Sequence, residues 1–143
     1  MHIPALVAGL TAGPLSGMIV GVLSPPLNFV VSGMPPISPP IMPIMALEVG
    51  TYGLVSGILM KYTKRGILLC LIGGMLAGRA AMGVGAAVAV AFLGMRLPAA
   101  SYVTTAIVTG LPGVLIQVIL IPILVRSVTY RRVFQGKISQ LAG

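Results

Sequence analysis

Residues 67–93 read ILLCLIGGMLAGRAAMGVGAAVAVAFL, a run in which Arg79 is the one charged residue. A membrane-spanning helix needs about 20 predominantly apolar residues, so this stretch is long enough to cross a bilayer as one helix. The whole chain has the same character, because 57% of its 143 residues are hydrophobic and 7% are charged, against about 25% charged residues in soluble domains. We therefore predict an integral membrane protein made of helices.

Similar apolar runs lie on both sides of this stretch. Near the N-terminus, Gly13-Pro14 interrupts one such run, because proline lacks a backbone donor and disfavours helix in the residue before it. We expect a short helix before the break and a longer one after it, with proline at a first helical position. The predicted fold class is an all-α polytopic bundle of about five spans, at residues 3–12 (short), 14–31, 41–60, 67–93 and 102–125.

The basic residues gather at the ends of these spans. Nine Lys and Arg against one acidic residue give a net charge of +8, and most of the cations lie in residues 61–65 and 126–143. The positive-inside rule places such clusters in the cytoplasm, and it argues against nucleic acid as a partner. We expect a single membrane-embedded domain over residues 1–143 of a multi-pass cell-membrane protein, in which 126–143 form a basic cytoplasmic tail.

Alternation of the spans places the N-terminus at the outer face. With residues 61–66 inside, counting back leaves His2 outside, and nothing upstream of Ile3 resembles a signal peptide. We therefore expect either that a preceding, inward-anchored helix is missing from this chain or that the short first helix is re-entrant.

Glycine and proline spacing indicates how the spans pack and connect. Small residues four positions apart allow close helix packing in membranes. Such pairs and runs occur at Gly9, Gly13, Gly17 and Gly21, at Gly53 and Gly57, and at Gly74 and Gly78. Between the second and third spans, a proline-rich loop includes Met34, Pro35 and Pro36. Such backbone is stiff and extended, so the loop is either a lid over a cavity or a rigid connector.

Two ionisable residues lie within the spans, which raises a functional-site hypothesis. Glu48 and Arg79 each lie roughly 20 Å from the cytoplasmic end of their helix, at 1.5 Å per residue. Asn28 is predicted at the same depth on the neighbouring span. One interpretation is an ion pair that locks two helices, with Asn28 supplying a further hydrogen bond. The other is a polar pocket in which Arg79 holds a carboxylate.

Further polar residues fit the pocket interpretation. Tyr52 lies one turn after Glu48 on the same helical face and adds a ring and a hydroxyl. On the last span, Thr109, Gly113 and Gln117 form a narrow polar stripe. Gln117 alternatively hydrogen-bonds a neighbouring helix.

A series of short motifs runs along nearly the whole chain. They are His2-Ile3-Pro4-Ala5-Leu6-Val7-Ala8-Gly9, Gly13-Pro14, Gly33-Met34-Pro35-Pro36, Met45-Ala46-Leu47-Glu48, Tyr52-Gly53-Leu54-Val55-Ser56-Gly57, Gly78-Arg79, Gly110-Leu111-Pro112-Gly113, Gln117 and Ile121-Pro122. In their order and spacing, the chain resembles the substrate-binding S component of energy-coupling factor (ECF) vitamin transporters, although family members carry one more helix before the segment that begins at His2. The resemblance implies a helical bundle that binds a vitamin near the outer face. It also implies delivery by toppling against a transmembrane scaffold subunit driven by two ATPases.

The leading hypothesis is thus a non-enzymatic subunit, embedded in membrane lipid, that captures a small water-soluble vitamin for import. Arg79 favours an anionic vitamin such as pantothenate. No cofactor or metal is expected, since Cys70 is the single cysteine and no Cys/His/carboxylate cluster occurs. No G-x-x-x-x-G-K-[ST] loop occurs either, so energy must come from partner subunits or an ion gradient. Two alternatives are a structural or assembly subunit and, less favoured, an intramembrane enzyme.

Overall fold

The computed structural model of the chain describes residues 2–33, 41–63, 66–93 and 113–128. The helices in these ranges are α1 (His2–Ala12), α2 (Pro14–Ser32), α3 (Ile41–Thr63), α4 (Ile67–Leu93) and α5 (Gly113–Val128). Within the same ranges no residue lies in a strand, and α2, α3 and α4 are long and apolar enough to cross a membrane. The predicted all-α membrane fold is confirmed.

Two helix ends differ from the predicted ones. α3 continues to Thr63 instead of ending at residue 60, and α5 continues to Val128, into the first residues of the predicted tail. In both cases a cation, Lys61 or Arg126, lies in the last turns, where positive charge is favoured by the helix macrodipole. The predicted start of the last span, residues 102–112, lies outside the described residues.

The predicted break at Gly13-Pro14 is confirmed. Gly13 has φ 101 and ψ 171, a backbone conformation that residues other than glycine rarely adopt. Pro14 then starts α2 at a position where its missing N–H would be unpaired in any case. α2 ends on Gly33, which has φ 69 and donates its N–H to the carbonyl oxygen of Phe29, a left-handed helix cap.

The α2–α3 interface brings backbone against backbone. A Cβ added at Gly17 would lie 2.5 Å from the carbonyl oxygen of Gly53, and one added at Gly57 would lie 2.6 Å from the Cα of Pro14. A Cβ at Gly21 would lie 2.7 Å from the Cα of Gly50. These contacts confirm the close packing predicted from the glycine spacing, and they fix the antiparallel register of the two helices.

The short helix α1 packs inside the bundle. Its Ala5 and Leu6 are fully buried, and they join a core with Tyr52 of α3, Leu71 of α4 and Ile121 of α5. Large apolar side chains point outward instead on the faces that the bundle leaves open, among them Leu15, Leu27, Val30, Val31, Phe92, Leu115 and Ile119. Such outward-facing apolar surface is expected for helices in lipid.

Candidate functional site

One face of α3 carries three buried polar residues. Glu48, Tyr52 and Ser56 are spaced one turn apart, and each is at most 3% exposed. Their neighbours on α4 are Gly74, beside Ser56, and Gly78, beside Tyr52. This face of α3 therefore contacts α4, whereas Gly53 on another face contacts α2.

Glu48 is bound by two partners at the same carboxylate oxygen. The hydroxyl of Tyr52 donates to Glu48 Oε1 at 2.5 Å, and Arg79 Nη1 lies 3.2 Å from that oxygen. The contact predicted between Glu48 and Arg79 is thus present. The two residues lie at similar distances along the chain from the connection between α3 and α4. The carboxylate has both the opposite charge and the hydrogen bond that a buried ion needs.

The glycine before Arg79 makes this arrangement possible. A Cβ at Gly78 would overlap the ring of Tyr52 and would lie 2.8 Å from the carbonyl oxygen of Glu48. Because Gly78 has no side chain, α4 approaches α3 closely enough for Arg79 to reach the carboxylate. The Gly78-Arg79 pair therefore acts as a unit, in which the glycine admits the ring and the arginine binds the acid.

Arg79 is the partly accessible member of the pair. Its side chain is 28% exposed, against 3% for Glu48. Among the described residues, the guanidinium contacts Glu48 through Nη1. The same Nη1 also lies 4.0 Å from Met82 Sδ, which is a weak contact. A guanidinium carries five N–H donors, and Nη2 and Nε have no acceptor among the described residues.

Arg79 opens into a cavity of about 90 Å³ between four helices. The cavity is lined by His2 of α1, Tyr52 of α3, Met75 and Arg79 of α4, and Gly113, Val114 and Gln117 of α5. Pockets for drug-sized ligands measure about 300–1,000 Å³, so this space suits one polar end of a small molecule.

Gln117 adds a further polar group to the cavity wall, besides His2, Tyr52 and Arg79. Its Oε1 is buried, and no hydrogen-bond donor of the described residues contacts it. The structure therefore brings Gln117, Arg79 and Tyr52 to one cavity, as the sequence predicted. Whether these residues bind a substrate stays a prediction.

His2 lies at this cavity although sequence reasoning did not include it. Its ring packs edge-on against Tyr52, with the ring centroids 5.2 Å apart and an interplanar angle of 63°. The signal in the sequence was the predicted position of His2 at the outer face, because the pocket is predicted on the same side. A histidine at the start of a short helix has no partner at helical spacing, so the pattern alone did not connect it with Tyr52.

Asn28 lines a different space. It belongs to a groove of about 400 Å³ beside α1, lined by Pro4, Val20, Leu23, Ser24, Leu27, Asn28 and Val31. The prediction that it shares a depth with Glu48 was wrong for a reason of register. Because Pro14 lies beside Gly57 and not at the end of α3, Asn28 falls opposite residues 42–43, roughly 8 Å beyond Glu48 at 1.5 Å per residue.

Several other predicted residues lie outside the described ranges. These are Thr109 and the lid residues Met34, Pro35 and Pro36.

A family model matches most of the chain. It describes the ECF transporter substrate-specific component, and the match covers residues 1–125. No curated protein and no solved structure gave a significant match.

Proposed function

The chain belongs to the family of ECF transporter substrate-specific components, and we propose that its four-helix cavity captures a small water-soluble vitamin for import. Membership implies a membrane protein that works as the substrate-specific part of an ECF importer, associated with ECF module subunits. The proposal adds the place of binding and the class of molecule.

The position of Arg79 carries the proposal. Arg79 keeps 28% of its side chain exposed beside a carboxylate that is 3% exposed, so its guanidinium reaches accessible space while Glu48 does not. The Nη2 and Nε donors of Arg79 have no acceptor among the described residues, and Arg79 lines a cavity whose wall also holds the polar residues His2, Tyr52 and Gln117. Apolar pockets with a few convergent polar groups are the usual form of small-molecule sites.

Arg79 also supports an anionic ligand of the pantothenate type. A guanidinium binds a carboxylate with two parallel hydrogen bonds when two N–H groups are available, and Nη2 and Nε provide such a pair. The contact of Glu48 with the guanidinium is made at Nη1. Glu48 therefore positions Arg79 in this account, and Arg79 contacts the ligand.

The remaining parts of the proposal concern energy and orientation. The protein binds without catalysing a reaction, and a transmembrane scaffold subunit with two ATPases drives uptake.

The C-terminal tail lies in the cytoplasm, since the basic residues at 61–65 and 126–143 follow the positive-inside rule. A cysteine placed at Gly143 in a Cys70→Ser background should react with a membrane-impermeant maleimide only after the cells are permeabilised. Labelling in intact cells would contradict this orientation.

A structural or assembly subunit is the second candidate. It is favoured by the way in which Glu48, Tyr52 and Arg79 join α3 to α4. In that case the cavity would be a packing defect and no vitamin would bind.

Mass spectrometry of small molecules that co-purify with the protein decides between the candidates. The same preparation is then titrated with a panel of pantothenate, biotin, folate, thiamine, riboflavin and nicotinate while its melting temperature is followed. We expect one panel member to co-purify and to raise the melting temperature, since a ligand that binds the folded state stabilises it. A protein that carries no small molecule and shows no shift with any member would support the structural candidate.

A further inference from the structure

His2 lies on the inner face of α1. Ala5 and Leu6, one turn further along, are fully buried, and a Cβ at Gly9 would overlap the backbone of α3. Residues three, four and seven positions apart share one face of a helix, so the packing of these three residues also directs His2 toward the bundle. The first turn of α1 therefore brings an imidazole to the cavity that Arg79 lines.

A chain of contacts connects the ring of His2 with Arg79. The ring packs edge-on against Tyr52, with the ring centroids 5.2 Å apart. The Tyr52 hydroxyl donates to Glu48 Oε1, and the same oxygen lies 3.2 Å from Arg79 Nη1. These contacts hold the imidazole and the guanidinium in a defined arrangement at one cavity, as a preorganised binding site requires.

The ring nitrogens of His2 have no hydrogen-bond partner among residues 2–33, 41–63, 66–93 and 113–128. A neutral imidazole carries one N–H donor and one acceptor, and the bond made by one nitrogen decides whether the other is protonated. Since the described residues make no such bond, either nitrogen can carry the N–H. His2 therefore adds to the cavity wall a donor that no described residue uses.

The other polar groups of the wall also favour an acceptor on the ligand. Tyr52 donates its hydroxyl proton to Glu48. Gln117 has its Oε1 shielded, which leaves its Nε2 amide group, another donor. Glu48 is the one acidic residue of the chain, and it already binds Arg79. A negatively charged acceptor for His2 and Arg79 together is therefore expected from the ligand.

On the basis of the proposed function, we infer that His2 is a ligand-binding residue and that the imidazole on α1 and the guanidinium of Arg79 on α4 share the carboxylate of the ligand. A carboxylate has two oxygens with about four acceptor positions, so it can accept from both groups at once. The cavity of about 90 Å³ has room for such an end group. Binding then depends on donors from two helices and not on Arg79 alone.

His2→Phe removes the N–H and keeps a ring. The phenyl group can keep the edge-on contact with Tyr52, so the melting temperature in detergent should stay close to that of the wild type. The affinity for the member of the six-vitamin panel that binds the wild type most tightly should fall by about 10- to 100-fold. Binding by His2→Phe at wild-type affinity would overturn the inference.

Pro4→Ala is the matched control at the start of α1. Pro4 lines the groove beside α1 and not the cavity of Arg79, and an N–H in the first turn of a helix has no partner within the helix. This variant should bind the vitamin as the wild type does. An equal loss of affinity in Pro4→Ala and His2→Phe would show that binding depends on the position of α1 and not on the imidazole, which would also overturn the inference.

The carboxamide of the same vitamin tests the inference from the ligand side. It keeps the size of the end group and removes its charge, so the ratio of the two affinities measures what the protein gains from the carboxylate. We expect this ratio to be about 10-fold smaller in His2→Phe than in the wild type, because hydrogen bonds to charged groups are the stronger ones. His2→Ala, which does not depend on the fit of a phenyl ring, should show the same reduction.

A change in stability does not affect this ratio, because both ligands are measured on the same folded protein. An equal ratio in the wild type and in the His2 variants would assign the carboxylate to Arg79 alone and would overturn the inference.

The outcomes separate this inference from the proposed function. If thiamine or riboflavin, which have no carboxylate, binds most tightly, the protein captures a vitamin but His2 and Arg79 do not share a carboxylate. If no panel member binds the wild type, the proposed function fails and the inference fails with it.

Discussion

Helix α3 has two faces that differ in the substitutions they should tolerate. Toward α2 it presents Gly50, Gly53 and Gly57, and the two backbones touch. Toward α4 it presents buried polar side chains, with an ion pair to Arg79 and a cavity beside it. On both faces the residues recur at helical spacing. The face toward α2 has no space for a side chain, whereas the face toward α4 has a cavity beside its ion pair.

The two faces of α3 therefore have different roles, one in folding and the other in ligand binding. The glycine face of α3 fixes depth and register, and its contacts do not depend on any ligand. The polar face uses that register to place a charged group at a cavity. Changes on the glycine face should abolish folding, whereas suitable changes on the polar face should remove binding and leave the fold intact.

The largest expected effect is that of Gly53→Leu. A Cβ at Gly53 would already overlap the backbone of Gly17, so a larger side chain forces α2 and α3 apart and costs about 3 kcal/mol or more. We expect no monodisperse protein in size-exclusion chromatography. Gly83→Leu is the matched control, because a Cβ at Gly83 meets nothing within 4 Å. A well-folded Gly53→Leu protein would show that the α2–α3 contact is looser than described.

Arg79→Ala should have the next largest effect. It leaves the carboxylate of Glu48 buried without its counter-ion, which costs about 3–5 kcal/mol, and it also removes ligand binding. Arg79→Lys keeps the charge but cannot form two parallel hydrogen bonds, so it should recover most of the stability and little of the binding. Thermal unfolding and vitamin titration measure the two properties separately. Full binding by Arg79→Lys would mean that charge alone matters.

Tyr52→Phe should have a smaller effect on stability. It removes the hydroxyl that donates to Glu48 Oε1 and keeps the ring that lines the cavity. A hydrogen bond to a charged group contributes about 1.5–3 kcal/mol, so the melting temperature should fall while vitamin binding persists. Loss of binding with an unchanged melting temperature would place the hydroxyl on the ligand instead of on Glu48.

Asn28→Leu should have the smallest effect on affinity. Asn28 lines the groove beside α1 and not the cavity of Arg79. Residues that share no partner act nearly independently, so the affinity for the vitamin should change by less than about 2-fold. Isothermal titration measures this directly. A 10-fold loss would return Asn28 to the site and would contradict the register of α2 on α3.

Sequence reasoning succeeded where a feature depends on one helix at a time. The helix at 67–93 needed only apolar length, and the break at Gly13-Pro14 needed only backbone chemistry. The Glu48–Arg79 contact was also predictable, because α3 and α4 are joined by a short basic connection from which depth can be counted on both.

The same counting failed for Asn28 because its reference point was wrong. Pro14 begins α2 beside Gly57 and not level with Thr63, where α3 ends. His2 was missed for a related reason, since its contact with Tyr52 depends on how α1 packs among α3, α4 and α5. Such contacts depend on tertiary packing, which periodicity along one helix does not contain.

The double variant Glu48→Gln/Arg79→Met tests the central claim most directly. The glutamine that replaces Glu48 would still accept the hydroxyl of Tyr52, and replacing both charges of a buried pair with neutral groups is often close to neutral for stability. The measurement is equilibrium binding of the vitamin identified for the wild type, made on protein shown to be monodisperse and to melt near the wild-type temperature. We predict a folded protein without measurable binding. Binding at wild-type affinity would contradict the account, because the ion pair would then be a structural lock and not part of a ligand site.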